Sequence, residues 1–281
     1  MLETKEKINF IFWGTPDVAS ETLEILKQAD FLPSLIVTSP DAKKGRGLQM
    51  QASPVSVFAE QNNIPCLKPG KLDEEFISNL ETRTYNLAIV VAYGKIISEN
   101  ILSIPELGSI NVHYSLLPKY RGASPVESAI LNGDTETGVT IQKMIYKMDA
   151  GDVIATKKTP IGDTETAPEL RSRLIKLGGE LLVKILPDFI ENKITPIKQD
   201  EGLATNCKKI KKEDGEIDLS DDTLNNSIKN YNKYRAYFHW PRVFFFRDKK
   251  RIIVTKAKLE NGKFIIEKVI PEGGKEIYYK N

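Results

Sequence analysis

INFIFWGTPDVASETLEILKQADFLPSLIVT, residues 8–38, reads as strand, helix, strand. INFIFWG (8–14) is apolar and aromatic without alternation and ends on glycine, the pattern of a strand buried on both faces. TPDVASETLEILKQ (15–28) follows, with Thr15 expected as N-cap, Pro16 at the first helical position and Asp17 in the first turn. Val18, Leu23, Ile25 and Leu26 give this helix an apolar stripe, and SLIVT (34–38) returns as a second strand. The alternation continues outward. SPVSVFAEQNN (53–63) repeats the Ser-cap, Pro-first pattern of a helix; NLAIVVAYG (86–94) and GSINVHY (108–114) read as strands; TGVTIQKM (137–144) and DVIATKKTPI (152–161) as later ones. APELRSRLIKLGGELLVKILPDFIENK (167–193) is a long amphipathic helix with a break expected near Gly178–Gly179 or Pro187. Strands alternating with helices predict right-handed βαβ units and an α/β, doubly wound, mostly parallel sheet.

The pattern changes after residue 190. Residues 194–220 are polar and charged, and 191–207 read as linker. Beyond a short helix at TLNNSIKNYNKY (223–234), RVFFFRD, KRIIVTKAKLENG and KFIIEKVI are short alternating segments with a turn at ENGK (260–263). A catalytic-sized domain over 1–190 and a small antiparallel barrel or sandwich over 208–281 are expected. The charge divides at the same place: residues 1–190 hold 20 basic and 24 acidic side chains, net −4, and 191–281 hold 20 and 14, net +6. A basic C-terminal third fits a polyanion. A second basic cluster, DAKKGRGLQ (41–49), lies inside the acidic part.

Several classes are excluded or left without support. No apolar run approaches the ~18 residues of a membrane span, and the charged start MLETKEK is followed by no secretory h-region. Cys66 and Cys207 are the two cysteines and form no CxxC, which rules out a disulfide scaffold or cysteine-rich zinc site and suits a reducing cytoplasm. GxGxxG, GxxxxGK[ST], HExxH and GxSxG are all absent.

Three segments carry chemistry. In SINVHYSLLPKYRG (109–122), Asn111 and His113 are i and i+2 on a strand, so both project from one face at its carboxyl end, the edge where open α/β sheets bind ligands. An amide N–H and an imidazole side by side can both donate to a developing oxyanion; a strand-end histidine with a satisfied hydrogen bond is the plainer alternative. In MDAGDVI (148–154), Asp149 and Asp152 flank Gly151 in an aspartate turn that can bring a carboxylate to His113 and favour its cationic form. AYGKII (92–97) is a glycine turn after a buried strand and can wall a cofactor cleft with backbone groups. His239, among aromatics in YFHWPR, is expected to pack in the C-terminal domain.

INVHYSLLPKYRGASPVESAILNGDTETGVTI, followed by MDAGDVI, resembles the tetrahydrofolate-dependent formyltransferases, and Asn111, His113 and Asp149 match that family's catalytic set. FWGTPDVAS, PDAKKGRG, SPVSVFAE and VVAYGKII are most similar to the members that act on methionyl-tRNA, and the likeness spans essentially 8–270. The resemblance implies a Rossmann-like formyltransferase domain followed by an OB-like β-barrel. It implies transfer of a formyl group from 10-formyltetrahydrofolate to initiator methionyl-tRNA in translation initiation, by a cytoplasmic, monomeric enzyme without metal or membrane partner. The folate would lie near Ala92, Tyr93, Gly94, Lys95, Ile96 and Ile97, the turn Ser115, Leu116, Leu117 and Pro118, and Met144. Lys43, Lys44 and Arg46 would reach the tRNA, with Lys208, Lys209, Lys211 and Lys212 on the C-terminal domain. Tyr114 departs from the family's usual Gly or Pro and would either narrow the cleft or point away; the basic loop is thinner than usual, with Ala42 and Lys43 where Arg-Pro is common and Leu48-Gln49 where lysines are. A nucleotide-sugar N-formyltransferase, a glycinamide ribonucleotide formyltransferase, a folate-dependent hydrolase and an RNA-binding module with an inactive catalytic domain remain the alternatives.

Overall fold

The computed structural model describes residues 8–44, 47–220 and 223–280. The strands are β1 Phe10–Gly14, β2 Leu35–Val37, β3 Ala42–Lys44, β4 Gln49–Gln51, β5 Cys66–Leu67, β6 Leu87–Val91, β7 Ser109–His113, β8 Arg121–Gly122, β9 Glu136–Lys143 and β10 Val153–Pro160. They are followed by β11 Asn206–Cys207, β12 Phe244–Arg247, β13 Lys250–Glu260, β14 Lys263–Pro271 and β15 Ile277–Tyr278. The helices are α1 Asp17–Gln28, α2 Pro54–Gln61, α3 Glu74–Glu81, α4 Glu99–Leu102, α5 Pro125–Leu131, α6 Ala167–Ile190 and α7 Leu224–Ala236.

Seven strands form one sheet in the order β10-β9-β7-β6-β1-β2-β5. The pairs β5/β2, β2/β1, β1/β6 and β6/β7 are parallel, and β7/β9 is antiparallel. The chain winds outward from β1 through β2 to β5, then restarts beside β1 with β6, so the strand order reverses between β1 and β6. The carboxyl ends of strands at such a reversal are where α/β sheets leave a crevice. β1 and β6 are buried at every residue, as their unbroken apolar runs require when helices cover both faces.

Two local expectations are corrected. Helix α1 starts at Asp17 with Pro16 as N-cap and no side-chain cap. The Thr15 hydroxyl instead donates to the Tyr93 carbonyl at 3.3 Å and bonds Ser39 Oγ at 3.1 Å, tying the loop after β1 to the turn after β6. Ser53 does cap α2, its Oγ accepting from Ser56 N–H at 3.0 Å. Helix α6 runs unbroken through both Gly178–Gly179 and Pro187. Pro187 falls in the last turn, and the two glycines serve close packing. A Cβ on Gly179 would lie 2.6 Å from Ile25 Cδ1 of α1, and one on Gly178 3.0 Å from Val112 Cγ1 of β7.

The chain forms two compact units. The first holds the chain through Pro118 with Val139–Lys157 and Leu174–Ala204; the second holds Lys119–Gly138, Lys158–Arg173 and the chain from Thr205 onward. Compactness thus interleaves segments that the expected boundaries at 190 and 208 keep apart. Part of the expected linker is built into the first unit, since Ile197 and Val153 exchange backbone hydrogen bonds of 2.8 Å. In the second unit β8 pairs β11, and the Cys207 thiol donates to the Tyr120 carbonyl at 3.3 Å. Strands β12 to β15 form an antiparallel meander against which α7 packs. Its β13–β14 hairpin turns on Asn261 (φ 51°) and Gly262 (φ 75°), the left-handed pair a two-residue loop demands. His239 is exposed rather than packed.

Candidate active site

The site grows from the two-residue period of β7. Val112 and Tyr114 face α6, where Gly178 brings the helix close to both side chains. Burial on that side pushes the Tyr114 phenol well above its ordinary pKa. Tyr114 therefore points away from Asn111 and His113, which project from the opposite face. His113 is 5% exposed and Asn111 half-buried. On antiparallel β9, Gln142 lies opposite Asn111 and Thr140 opposite His113, which puts these four side chains on one face. Thr140 Oγ1 donates to Ser115 O at 2.7 Å and accepts from Leu117 N–H at 3.1 Å. One hydroxyl thus fixes the Ser115–Pro118 turn at the strand's carboxyl end.

Asp149 arrives from the turn between β9 and β10. Its Oδ1 stands 3.6 Å from His113 Nδ1. That is ion-pairing distance for a protonated imidazole and beyond a formed hydrogen bond. Asp149 holds a left-handed backbone (φ 51°), a conformation Asp tolerates better than most residues. Gly151 lets the turn fold back on β9: a Cβ there would lie 1.8 Å from the Lys143 carbonyl oxygen. Lys143 N–H in turn donates to Asp152 O at 2.9 Å. Asp149 is the aspartate of the pair that faces the histidine.

Two glutamines that the sequence did not single out complete the turn's support. Gln142 Nε2 donates to Asp149 Oδ1 at 2.9 Å. Gln199 Nε2 donates to Asp149 O at 2.9 Å and to Gly151 O at 2.7 Å, and stands 3.4 Å from Gln142 Oε1. Both are buried, at 1% and 7% exposure. Position 142 carried a readable signal, a polar residue on the Asn111 face; Gln199 carried none, lying in a stretch that reads as linker.

Of the expected folate segments, the turn after β6 and Met144 meet in one apolar cluster. Tyr93 and Ile97 belong to the apolar core around Trp13 and Val90, and Met144 packs against that core. The Tyr93 ring meets Trp13 edge-on at 5.1 Å, and burial pushes its phenol up to about 12. Ala92 and Gly94 take positive φ (49° and 83°), so the turn presents backbone outward while Tyr93 points inward. Ile96 is 75% exposed, and Lys95 Nζ donates to the Pro69 and Gly70 carbonyls at 2.8 and 3.0 Å.

Of the basic residues, Lys43 is exposed on the β3–β4 hairpin, which also holds Lys44, and Arg46 lies outside the described residues. Lys208, Lys209, Lys211 and Lys212 are all exposed. The C-terminal sheet also bears a groove of about 620 Å³ lined by Arg247, Tyr278, Tyr279 and Lys280, among others. Arg247 donates to Tyr279 Oη at 2.6 Å.

An imidazole paired with a carboxylate, beside a carboxamide on the same strand, offers donors to an oxyanion and a route for a proton. Comparison with known proteins bears on what such a site acts upon. Residues 6–186 match the model for "Formyl transferase", and 209–278 that for "Formyl transferase, C-terminal domain". The methionyl-tRNA formyltransferase of Citrifermentans bemidjiense is 40% identical over 256 residues, 91% of this chain and 79% of that protein. Among solved structures, an N-formyltransferase from Helicobacter canadensis, in complex with folinic acid and dTDP-3-aminofucose, superposes with a TM-score of 0.68 at 21% identity, covering 98% of this chain and all of that one. Methionyl-tRNA formyltransferase from Clostridium thermocellum superposes at 0.61 with 19% identity, covering 97% and 100%. At these identities the two structures speak for the shared fold.

Proposed function

The chain belongs to the formyl transferase family, and from that premise we propose that it moves the formyl group of 10-formyltetrahydrofolate to the α-amino group of methionyl-initiator-tRNA. The observation that carries the site assignment is the approach of His113 to Asp149 beside Asn111 on a ligand-binding sheet edge. The amine nitrogen attacks the formyl carbon, and the carbonyl electron pair moves to oxygen. Asn111 N–H and the His113 imidazole donate to that oxyanion, each contributing on the order of 3–4 kcal/mol, as deletion of one oxyanion donor costs elsewhere. The Asp149 carboxylate, 3.6 Å from His113 Nδ1, orients the imidazole and, through water, takes the proton that the attacking amine must lose. Collapse breaks the bond from the formyl carbon to folate N10, which takes up through the same water the proton the amine gave to Asp149, and the new amide remains on methionine. No covalent enzyme intermediate is required.

The folate lies against the Ala92–Ile97 backbone, the Ser115–Pro118 turn and Met144. The basic third, with Lys208, Lys209, Lys211 and Lys212, and the hairpin carrying Lys43 and Lys44 with Arg46 beyond it, bind tRNA phosphates. Residues 1–190 then carry the chemistry, and RNA binding is shared between the basic hairpin within them and residues 208–281. The enzyme acts in the cytoplasm as a monomer, which sedimentation of the purified chain tests. The deciding assay gives the protein 10-formyltetrahydrofolate with methionyl-tRNA, with amino-sugar nucleotides, or with no acceptor. Formyl-methionyl-tRNA is the expected product; formylation of the sugar nucleotide alone overturns the reading.

A further inference from the structure

We infer that Gln199 and Gln142 are positioning residues that aim the Asp149 carboxylate at His113. The inference deepens the formyl-transfer reading and rests on it for the role of Asp149. Three oxygens surround one end of the Gln199 amide: Asp149 O at 2.9 Å, Gly151 O at 2.7 Å and Gln142 Oε1 at 3.4 Å. An acceptor could not face three acceptors, so that end carries the nitrogen. Its two hydrogens go to the two nearer carbonyls, with Gln142 at the long edge of the arrangement. The same amide thereby sets the polarity of its neighbour. With Gln142 Oε1 turned to Gln199, Gln142 Nε2 faces outward and donates to Asp149 Oδ1 at 2.9 Å. That is the oxygen 3.6 Å from His113 Nδ1. A buried residue of the 195–204 segment thus holds the turn's carbonyls, and a buried residue of β9 holds its carboxylate.

The turn needs such support. Asp149 sits in left-handed backbone, and residues 145–148 just before it are exposed and largely apolar. Strained backbone persists where its surroundings over-determine it. Here Gln199 clamps the turn's carbonyls, Gln142 clamps its side chain, and the Val153–Ile197 bridge brings Gln199 to the turn. The hydrogen bond from Gln142 Nε2 also fixes the rotation of the carboxylate.

Gln199→Glu keeps shape and volume but sets an oxygen against two carbonyls. Gln142→Met keeps length and removes the donor to Asp149. The chain has two histidines, so imidazole Cε1–H spectra hold two signals, assigned by His113→Ala. Both variants should move the His113 signal and leave that of His239 in place. Each should lower kcat by about 10- to 100-fold, the cost of misplacing a reacting group, while KM for both substrates stays within roughly twofold. If Gln199→Glu does not fold, Gln142→Met decides alone. An unmoved His113 signal in a folded Gln142→Met overturns the inference whatever the rate does, and so does wild-type kcat. If the wild-type protein formylates no tRNA, the formyl-transfer reading falls, while the His113 signal still reports on the clamp.

Discussion

Asn111 and His113 share a strand face but not an environment, and their roles separate accordingly. His113 is nearly sealed and meets a carboxylate, whereas Asn111 is half-buried and in the proposed reaction presents its amide to the substrate. Asn111→Ala and His113→Ala should each lower turnover by about 10²–10³ with folding intact; near-wild-type rates in a folded variant would remove that residue from the chemistry. Tyr93 allows a separate test at the turn after β6. Its phenol rises from the ordinary 10 to about 12 because burial disfavours the phenolate. The folded state therefore holds the proton more tightly than the unfolded one. That contribution to stability is whole below pH 10 and is lost as pH climbs through 12. Tyr93→Phe should flatten the fall in denaturation midpoint over that alkaline range. At neutral pH it should stabilise the fold by about 1 kcal/mol, because the buried hydroxyl has no hydrogen-bond partner among the described residues and its desolvation goes uncompensated. An unchanged alkaline slope would refute the burial account. The residue scale also separates what a sequence exposes from what it hides. Asn111 and His113 were legible because a strand's period of two fixes which residues share a face. Asp149 was legible because Asp-x-Gly-Asp announces a turn. Gln199 was not, because its importance comes from three oxygens contributed by distant chain, and its own neighbours are polar like any linker's.

The elements were read well where local chemistry sets them and poorly where packing does. Unbroken apolar runs gave β1 and β6, and Ser53–Pro54 gave the start of α2, because each signal acts within a few residues. The expected break in α6 failed for the opposite reason. By propensity two glycines cost a helix about 1 kcal/mol each, yet here their missing side chains admit Val112, Val139 and Ile25. Gly179→Ala puts these effects in competition. The alanine gains about 1 kcal/mol of helix propensity but drives a methyl to 2.6 Å from Ile25 Cδ1 and 3.1 Å from its rigid Cβ. Overpacking of this kind costs ~1–3 kcal/mol. The variant should therefore be less stable than wild type, by up to about 2 kcal/mol in equilibrium denaturation. A stabilised Gly179→Ala would mean that α1 and α6 part freely at this contact.

At the scale of the whole molecule, the balance of charge carries the functional argument. A net charge of +2 predicts nothing, but −4 over residues 1–190 against +6 over 191–281 concentrates the attraction for a polyanion on one part of the chain. The four lysines of KKIKK are exposed, and among the described residues Lys211 meets Glu213 at 3.7 Å in a solvent-screened pair. Phosphate binding by such groups releases counterions, so affinity for tRNA should fall steeply with salt, whereas the folate donor, proposed to lie against backbone and apolar groups, should respond weakly. The apparent KM for methionyl-tRNA should rise by an order of magnitude or more between about 50 and 200 mM salt. Replacing Lys208, Lys209, Lys211 and Lys212 with glutamine should reduce the log–log slope by about 0.7–0.9 for each lysine that neutralises a phosphate. The KM for the folate should stay level in both experiments. A tRNA KM that is flat across this range, or a slope untouched by the four substitutions, would show that the basic third serves solubility and that the acceptor is held by shape and uncharged contacts.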